Sequence, residues 1–172
     1  MIKEKARLYA LEIRKNENKI IASNNVIEAL IKSNILNEYK KIGIYYPMGK
    51  EIDIMPLVDF YKDKEFYLPK TNENLSFIKY DGNLIKGPFN TKEPIGLPIE
   101  RDLIECFLIP CVAITSDMKR IGYGKGYYDK YLNGYKGLKI GICYKNASNL
   151  EVQMDDFDLE LDKIFLGWFL YD

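Results

Sequence analysis

Apolar and polar positions alternate along this chain with two different periods, and the switch between them marks out the elements. From Lys3 to about Asn18, charges fall on one side and Leu8, Tyr9 and Leu11 on the other, which predicts a helix. Ile27, Leu30 and Ile31 give a second helical face between about Asn24 and Ser33. Lys41 to Tyr46 then reads as a buried strand, and Asp53 as the N-cap of a helix through Leu57 and Phe60, with Pro56 tolerated in the first turn. Phe66–Leu68 is the next strand. Leu75–Tyr80 and Leu84–Ile85 flank Asp81-Gly82-Asn83 and predict a hairpin. Gly87 to Pro98 holds three prolines and reads as a surface loop.

Cys106 to Val112 is the strongest central strand. Tyr127 to Leu132 reads as a helix ended by Asn133-Gly134, Lys139 to Cys143 as a strand, and Lys163 to Leu170 as a last strand behind the acidic segment Glu151–Asp162. Helices alternate with strands and there is one hairpin. The pattern therefore predicts an α/β fold, a mostly parallel sheet covered by helices on both faces. No repeat or linker divides residues 1–172, so a single domain is expected. In such sheets ligands sit beyond the carboxyl ends of the strands, where the loop after Cys106–Val112 lies.

Composition narrows the chemistry. The 25 basic and 25 acidic side chains cancel, so no polyanion such as nucleic acid is expected as the main partner, and any anion site must be a local cluster. Histidine is absent, which removes serine–histidine and cysteine–histidine catalysis and histidine metal sites. A metal would be held by carboxylates and would be Mg²⁺ or a similarly hard ion. Cys106, Cys111 and Cys143 show no CxxC spacing and read as small core hydrophobes in a reducing compartment. The charged amino terminus is not a signal peptide, and the longest uncharged apolar run, Cys106–Ser116, is too short to span a bilayer. The expectation is a cytoplasmic chain without a membrane partner.

One segment carries candidate chemistry. Arg120-Ile-Gly122-Tyr123-Gly124-Lys125-Gly126-Tyr127-Tyr128-Asp129 sets three glycines at alternate positions, with Arg120 and Lys125 beside them. Glycines let the backbone approach a ligand, and its amides can point at phosphate oxygens with help from the following helix. The basic residues would supply a planar fork and a point charge. An ordinary strand-to-helix turn accounts for the glycines but not for the interleaved cations. The run is neither a Walker A sequence nor a GxGxxG fingerprint.

The run RIGYGKGYYDKYL resembles the motif R-L-G-x-G-K-G-Y-Y-D-x-Y-L of the 5-formyltetrahydrofolate cyclo-ligase (methenyltetrahydrofolate synthetase) family. The resemblance extends over the chain. Lys3 and Arg7 match a basic pair that touches ATP, and Tyr46-Pro47-x-x-x-Glu51-Ile52 matches a segment lining the folate pocket. Glu93-Pro94 matches a pair in the middle loop, and Asp158-x-x-Leu161-Asp162 an acidic motif. The resemblance implies a three-layer α/β/α sandwich. It also implies a reaction in which ATP hydrolysis drives closure of 5-formyltetrahydrofolate to 5,10-methenyltetrahydrofolate.

Carried over residue by residue, the resemblance assigns ATP contacts to Lys3, Arg7, Arg120, Gly122, Tyr123, Gly124, Lys125, Gly126, Tyr127 and Tyr128. Lys125 and Arg120 would be catalytic. Tyr46, Glu51, Tyr123 and Tyr127 would line the folate, and Asp129 and Asp162 would lie near Mg²⁺. The family often has histidine where this chain has Phe157, so no catalytic role is carried onto that position. A monomer is expected. Two other readings stay open on the residues alone: another ATP-dependent small-molecule kinase or ligase, and a non-catalytic nucleotide-binding module.

Overall fold

Asn18 decides how the first third of the chain is divided. The computed structural model, which describes residues 1–169, ends helix α1 (Lys3–Arg14) before it. The Asn18 side chain accepts the Ile21 N–H at 3.1 Å and so caps α2 (Lys19–Ser33), five residues earlier than the apolar face predicts. Asn34, in the left-handed conformation at φ 59°, closes α2.

The strands follow as β1 (Lys41–Gly43), then β2 (Glu65–Thr71) after the short helix α3 (Pro56–Phe60), β3 (Leu75–Lys79), β4 (Leu84–Lys86) and β5 (Lys92–Pro94). Beyond these come β6 (Cys106–Pro110), β7 (Ala113–Ile114), β8 (Arg120–Ile121), α4 (Tyr127–Tyr131), β9 (Leu138–Tyr144) and β10 (Lys163–Gly167). The last strand was expected to reach Leu170, which lies outside the described residues. Six strands form one sheet in the order β10-β9-β6-β1-β2-β3, parallel except for β3.

The predicted hairpin across Asp81–Asn83 does not form. Asp81 does bend the chain by accepting the Asn83 N–H at 2.9 Å. However, β3 turns back at Asn72–Asn74 and pairs antiparallel with β2, whereas β4 pairs with β5 in a separate ribbon. Packing explains the choice. Against β2, Leu75, Phe77 and Ile78 are buried, whereas Ile85 of β4 stays exposed.

Alternate residues of β6 serve opposite faces, as expected of a central strand covered on both sides. Phe107 and Ile109 pack with Ala6 and Ala10 of α1, and the tyrosines of α4 lie against the same cluster. Cys106 and Leu108 pack with Ile42, Ile140, Ile142 and the Ala22, Val26 and Leu30 face of α2, together with Leu57 of α3. These two cores make a three-layer α/β/α sandwich. Strand order reverses direction about β1, because β2 lies on one side of it and β6 on the other. No helix among the described residues is long and apolar enough to cross a membrane.

Candidate active site

A cavity of about 540 Å³ opens beyond the carboxyl ends of β1, β2 and β6, at the point where the strand order reverses. Its size falls in the range of small-molecule sites. Lys3, Arg7, Tyr46, Glu51, Arg120, Gly122, Tyr123, Gly124, Lys125, Gly126, Tyr127, Tyr128 and Asp129 all line it, although they are drawn from three separate segments.

The glycine-rich loop leaves β8 and folds onto α1. Gly124 and Gly126 take φ +100° and +70°, conformations that side chains with a Cβ resist. At Gly122 the requirement is space, since a Cβ there would stand 2.6 Å from the Arg120 guanidinium. Arg7 Nε donates to the Gly122 carbonyl at 2.7 Å and its Nη1 pairs with Glu4 at 2.7 Å, so α1 holds the loop in shape. Arg120 donates to the Pro110 carbonyl at 2.8 Å and lies 4.7 Å above the Tyr128 ring. Lys125 is exposed. Its Nζ rests 4.4 Å from the Phe89 ring centroid, and no carboxylate pairs with it among the described residues. Helix α4 is only five residues long, so its dipole adds little, and anion binding falls to the loop amides and the cations.

The opposite wall comes from the segment after β1. Glu51 is buried, and its Oε1 accepts the Met48 N–H at 2.8 Å, which folds residues 48–51 into a closed turn. Tyr45 donates to the Ile52 carbonyl at 2.7 Å and Tyr144 to the Lys50 carbonyl at 2.6 Å, pinning this turn from both sides. Burial raises the Glu51 pKa above the usual carboxylate value, opposed by the Met48 N–H, Arg14, Arg120 and Tyr123. Burial also pushes the thiols up, Cys106 to about 12 and Cys111 to about 11, as fits cysteines that pack rather than react.

Two acids of the carboxyl-terminal segment part company. Asp158 lines the cavity, where its Oδ2 lies 2.6 Å from Lys3 Nζ. Burial lowers the Lys3 pKa, but its hydrogen bonds with Asp155 and Asp158 outweigh this and leave it raised. Asp129 lies between the two regions, accepting the Leu159 N–H at 2.9 Å. Asp162 departs from the expectation of a place near the metal. Its Oδ2 accepts the Lys139 N–H at 2.8 Å, near the start of β9 and at the far end of the sheet from the cavity. Four residues of extended chain carry Asp162 up to about 14 Å from Asp158. The segment enters β10 from that end, so its last acid cannot stay with its first.

Sequence reasoning missed Arg14, which donates to the Tyr123 hydroxyl at 2.6 Å, and Phe89 and Lys92 on the ribbon beside the cavity. Arg14 had a signal: Lys3, Arg7 and Arg14 fall at helical spacing on one face of α1.

Comparisons with known proteins place the chain in a family. The 5-formyltetrahydrofolate cyclo-ligase family matches residues 3–167. The 5-formyltetrahydrofolate cyclo-ligase of Mycoplasma genitalium is 33% identical over 132 residues, covering 73% of this chain and 71% of its own. A probable 5-formyltetrahydrofolate cyclo-ligase of Schizosaccharomyces pombe is 31% identical over 150 residues, covering 73% and 74%. The solved structure of Aquifex aeolicus 5,10-methenyltetrahydrofolate synthetase superposes with a TM-score of 0.85 at 30% identity, over 96% of this chain and 90% of its own. That of the Mycoplasma pneumoniae 5,10-methenyltetrahydrofolate synthetase gives 0.80 at 27%, over 96% and 98%. With the family matched over nearly the whole chain and the fold shared with these structures, the chain belongs to the 5-formyltetrahydrofolate cyclo-ligase family.

Proposed function

We propose that this chain closes 5-formyltetrahydrofolate to 5,10-methenyltetrahydrofolate at the expense of ATP, releasing ADP and phosphate, and that the cavity at the carboxyl ends of the strands is where it does so. One observation supports this above the others. Lys125, unpaired with any carboxylate among the described residues, shares a cavity with Arg120 and with the buried carboxylate of Glu51.

A formyl amide is a poor electrophile with a poor leaving group. If its oxygen attacks the γ-phosphorus, an O–P bond forms, the bond to ADP breaks, and the formyl carbon becomes activated. N10 then attacks that carbon, phosphate leaves with the former formyl oxygen, and N10 gives up its proton. No protein nucleophile enters, so a chain without histidine can perform it. The protein's part is alignment and neutralisation of charge. Lys3, Arg7 and the loop amides from Gly122 to Gly126 would grip the phosphates. Lys125 and Arg120 would follow charge as it moves from ATP to the formyl oxygen. Glu51 would accept N–H groups of the pterin, with Tyr46, Tyr123 and Tyr127 against its rings.

The acids lining the cavity suit Mg²⁺, which takes one or two carboxylates and keeps its remaining positions for water and phosphate oxygens. Asp129 spends only Oδ1 on the Leu159 N–H, and its other oxygen would hold the ion. Among the described residues no cluster of three ligating side chains offers an all-protein cage. Bound there, the ion would neutralise phosphate charge. On this reading residues 1–172 act as one domain, a cytoplasmic monomer whose partner is the folate, with no part for nucleic acid or membrane.

The test is to mix the protein with Mg-ATP and 5-formyltetrahydrofolate and follow the near-ultraviolet absorbance of the methenyl product. Absorbance should rise only with both substrates present. ATP turnover indifferent to the folate would favour a kinase, and binding without turnover a sensing module.

A further inference from the structure

Arg14 closes α1, and a cation in the last turn of a helix is ordinarily explained by the helix's own carbonyls. Here the side chain turns elsewhere. Its Nη2 donates at 2.6 Å to the hydroxyl of Tyr123, a residue of the glycine-rich loop, and its guanidinium carbon lies 5.4 Å from that ring's centroid. A phenol has one proton. With Arg14 donating to the oxygen, the Tyr123 proton is left to point at Glu51, whose Oε2 lies 3.4 Å away. The other Glu51 oxygen is already fixed by Met48. Three elements distant in sequence thus form one chain of hydrogen bonds ending in the cavity's buried carboxylate.

We propose that Arg14 is a positioning residue for folate recognition, which acts through Tyr123 to hold the Glu51 carboxylate aimed into the cavity. This rests on the reading of Glu51 as the pterin acceptor. The electrostatics agree with the geometry. An ionised carboxylate can accept two N–H groups side by side, whereas its protonated form offers a donor where an acceptor is needed. Burial works against the ionised form. The groups facing Glu51 are Arg14 from α1, Arg120 from β8, Tyr123 from the loop, Tyr45 from the segment after β1, Cys111 after β6 and Tyr128 from α4. Only the two arginines carry positive charge. Arg120 is also bonded to Pro110 and stacked on Tyr128, which leaves Arg14 as the cation whose described hydrogen bond leads to Glu51 through Tyr123.

Removing Arg14 raises the Glu51 pKa further, so the protonated form appears at higher pH. The defect should therefore be largest in acid and shrink as pH rises. The experiment titrates 5-formyltetrahydrofolate into ATP-free protein from about pH 5.5 to 8.5, and measures KM for each substrate beside kcat, for wild type, Arg14→Gln, Arg14→Lys, Tyr123→Phe and Glu51→Gln. Arg14→Gln should weaken folate binding about tenfold at neutral pH and more below it, the scale of one hydrogen bond to a charged group. Its kcat and its KM for ATP should stay near wild type. Arg14→Lys should recover part of the acid limb, since the charge is kept and the fork lost. Tyr123→Phe should show the same pH-dependent loss, and decides the matter if Arg14→Gln does not fold. If Glu51→Gln weakens folate binding while Arg14→Gln or Tyr123→Phe keeps the wild-type affinity and pH profile, the role of Arg14 is overturned and that of Glu51 stands. If Glu51→Gln itself binds folate as wild type does, the reading of Glu51 fails, and the role of Arg14 with it.

Discussion

The two ends of the central sheet handle charge in opposite ways. At the amino ends of the parallel strands each acid is met by its own partners. Glu105 accepts the N–H groups of Lys40 and Lys41 at 2.8 and 2.9 Å, Glu65 pairs with Lys41 and with Lys79, and Asp162 with Lys139. The hydrogen bonds from Lys41 and Lys79 bring the Glu65 pKa down to about 2, and the Lys41 and Lys40 N–H groups lower that of Glu105. At the carboxyl ends Lys3 pairs with Asp158 and Arg7 with Glu4, but Glu51 and Lys125 of the cavity form no ion pair among the described residues. Glu51 is raised by burial and Lys125 rests on an aromatic ring. Charge that closes on itself holds the fold; Lys125, exposed beside the cavity with no carboxylate against it among the described residues, is free to meet a ligand.

This contrast can be broken by experiment, and the largest expected effect is at the cavity end. If Asp129 and substrate phosphates share a divalent ion, excess EDTA should reduce turnover to background and added Mg²⁺ should restore it. Equal product formation in EDTA would remove the metal from the account. Lys125→Ala should lower kcat/KM by roughly two to three orders of magnitude, by analogy with loss of one electrostatic donor. Its thermal melt should hardly move, since the side chain is exposed. Near-wild-type kinetics would mean that the loop does not cradle phosphate.

The amino end should behave differently. Asp162→Asn should leave kcat/KM within about threefold of wild type and cost about 0.5–1 kcal/mol of stability, as for an exposed ion pair. A severe loss of turnover in a folded variant would bring Asp162 back to the chemistry. Glu65 should leave only a pH signature. Because its folded pKa lies below the usual 4.5, its contribution is present above about 4.5 and lost as pH falls toward about 2. The melting temperatures of wild type and Glu65→Gln should converge over that interval. A constant gap would show that the pair contributes nothing through charge.

What the sequence disclosed follows from range. The helical face of α1, the central strand β6 and the glycine loop are local patterns, and they predicted a parallel sheet covered by helices, while the family resemblance carried by that loop named the thirteen residues that line one cavity. The failures were matters of pairing between distant segments. Asp81–Asn83 does bend the chain, but whether β3 joins β2 or β4 depends on which neighbour buries Leu75 and Phe77. Asp158 and Asp162 look equivalent in an acidic run and separate only because the chain runs from the cavity toward the start of β9 between them. Arg14 reads as an ordinary helix terminus until Tyr123, 109 residues on, is brought against it.

The claim most open to direct measurement is that the formyl oxygen leaves as phosphate. 5-Formyltetrahydrofolate labelled with ¹⁸O in the formyl group would be turned over with unlabelled ATP, and the inorganic phosphate analysed by mass spectrometry. The account predicts one ¹⁸O in each phosphate released and none in ADP. Unlabelled phosphate, with the label recovered in water, would contradict it.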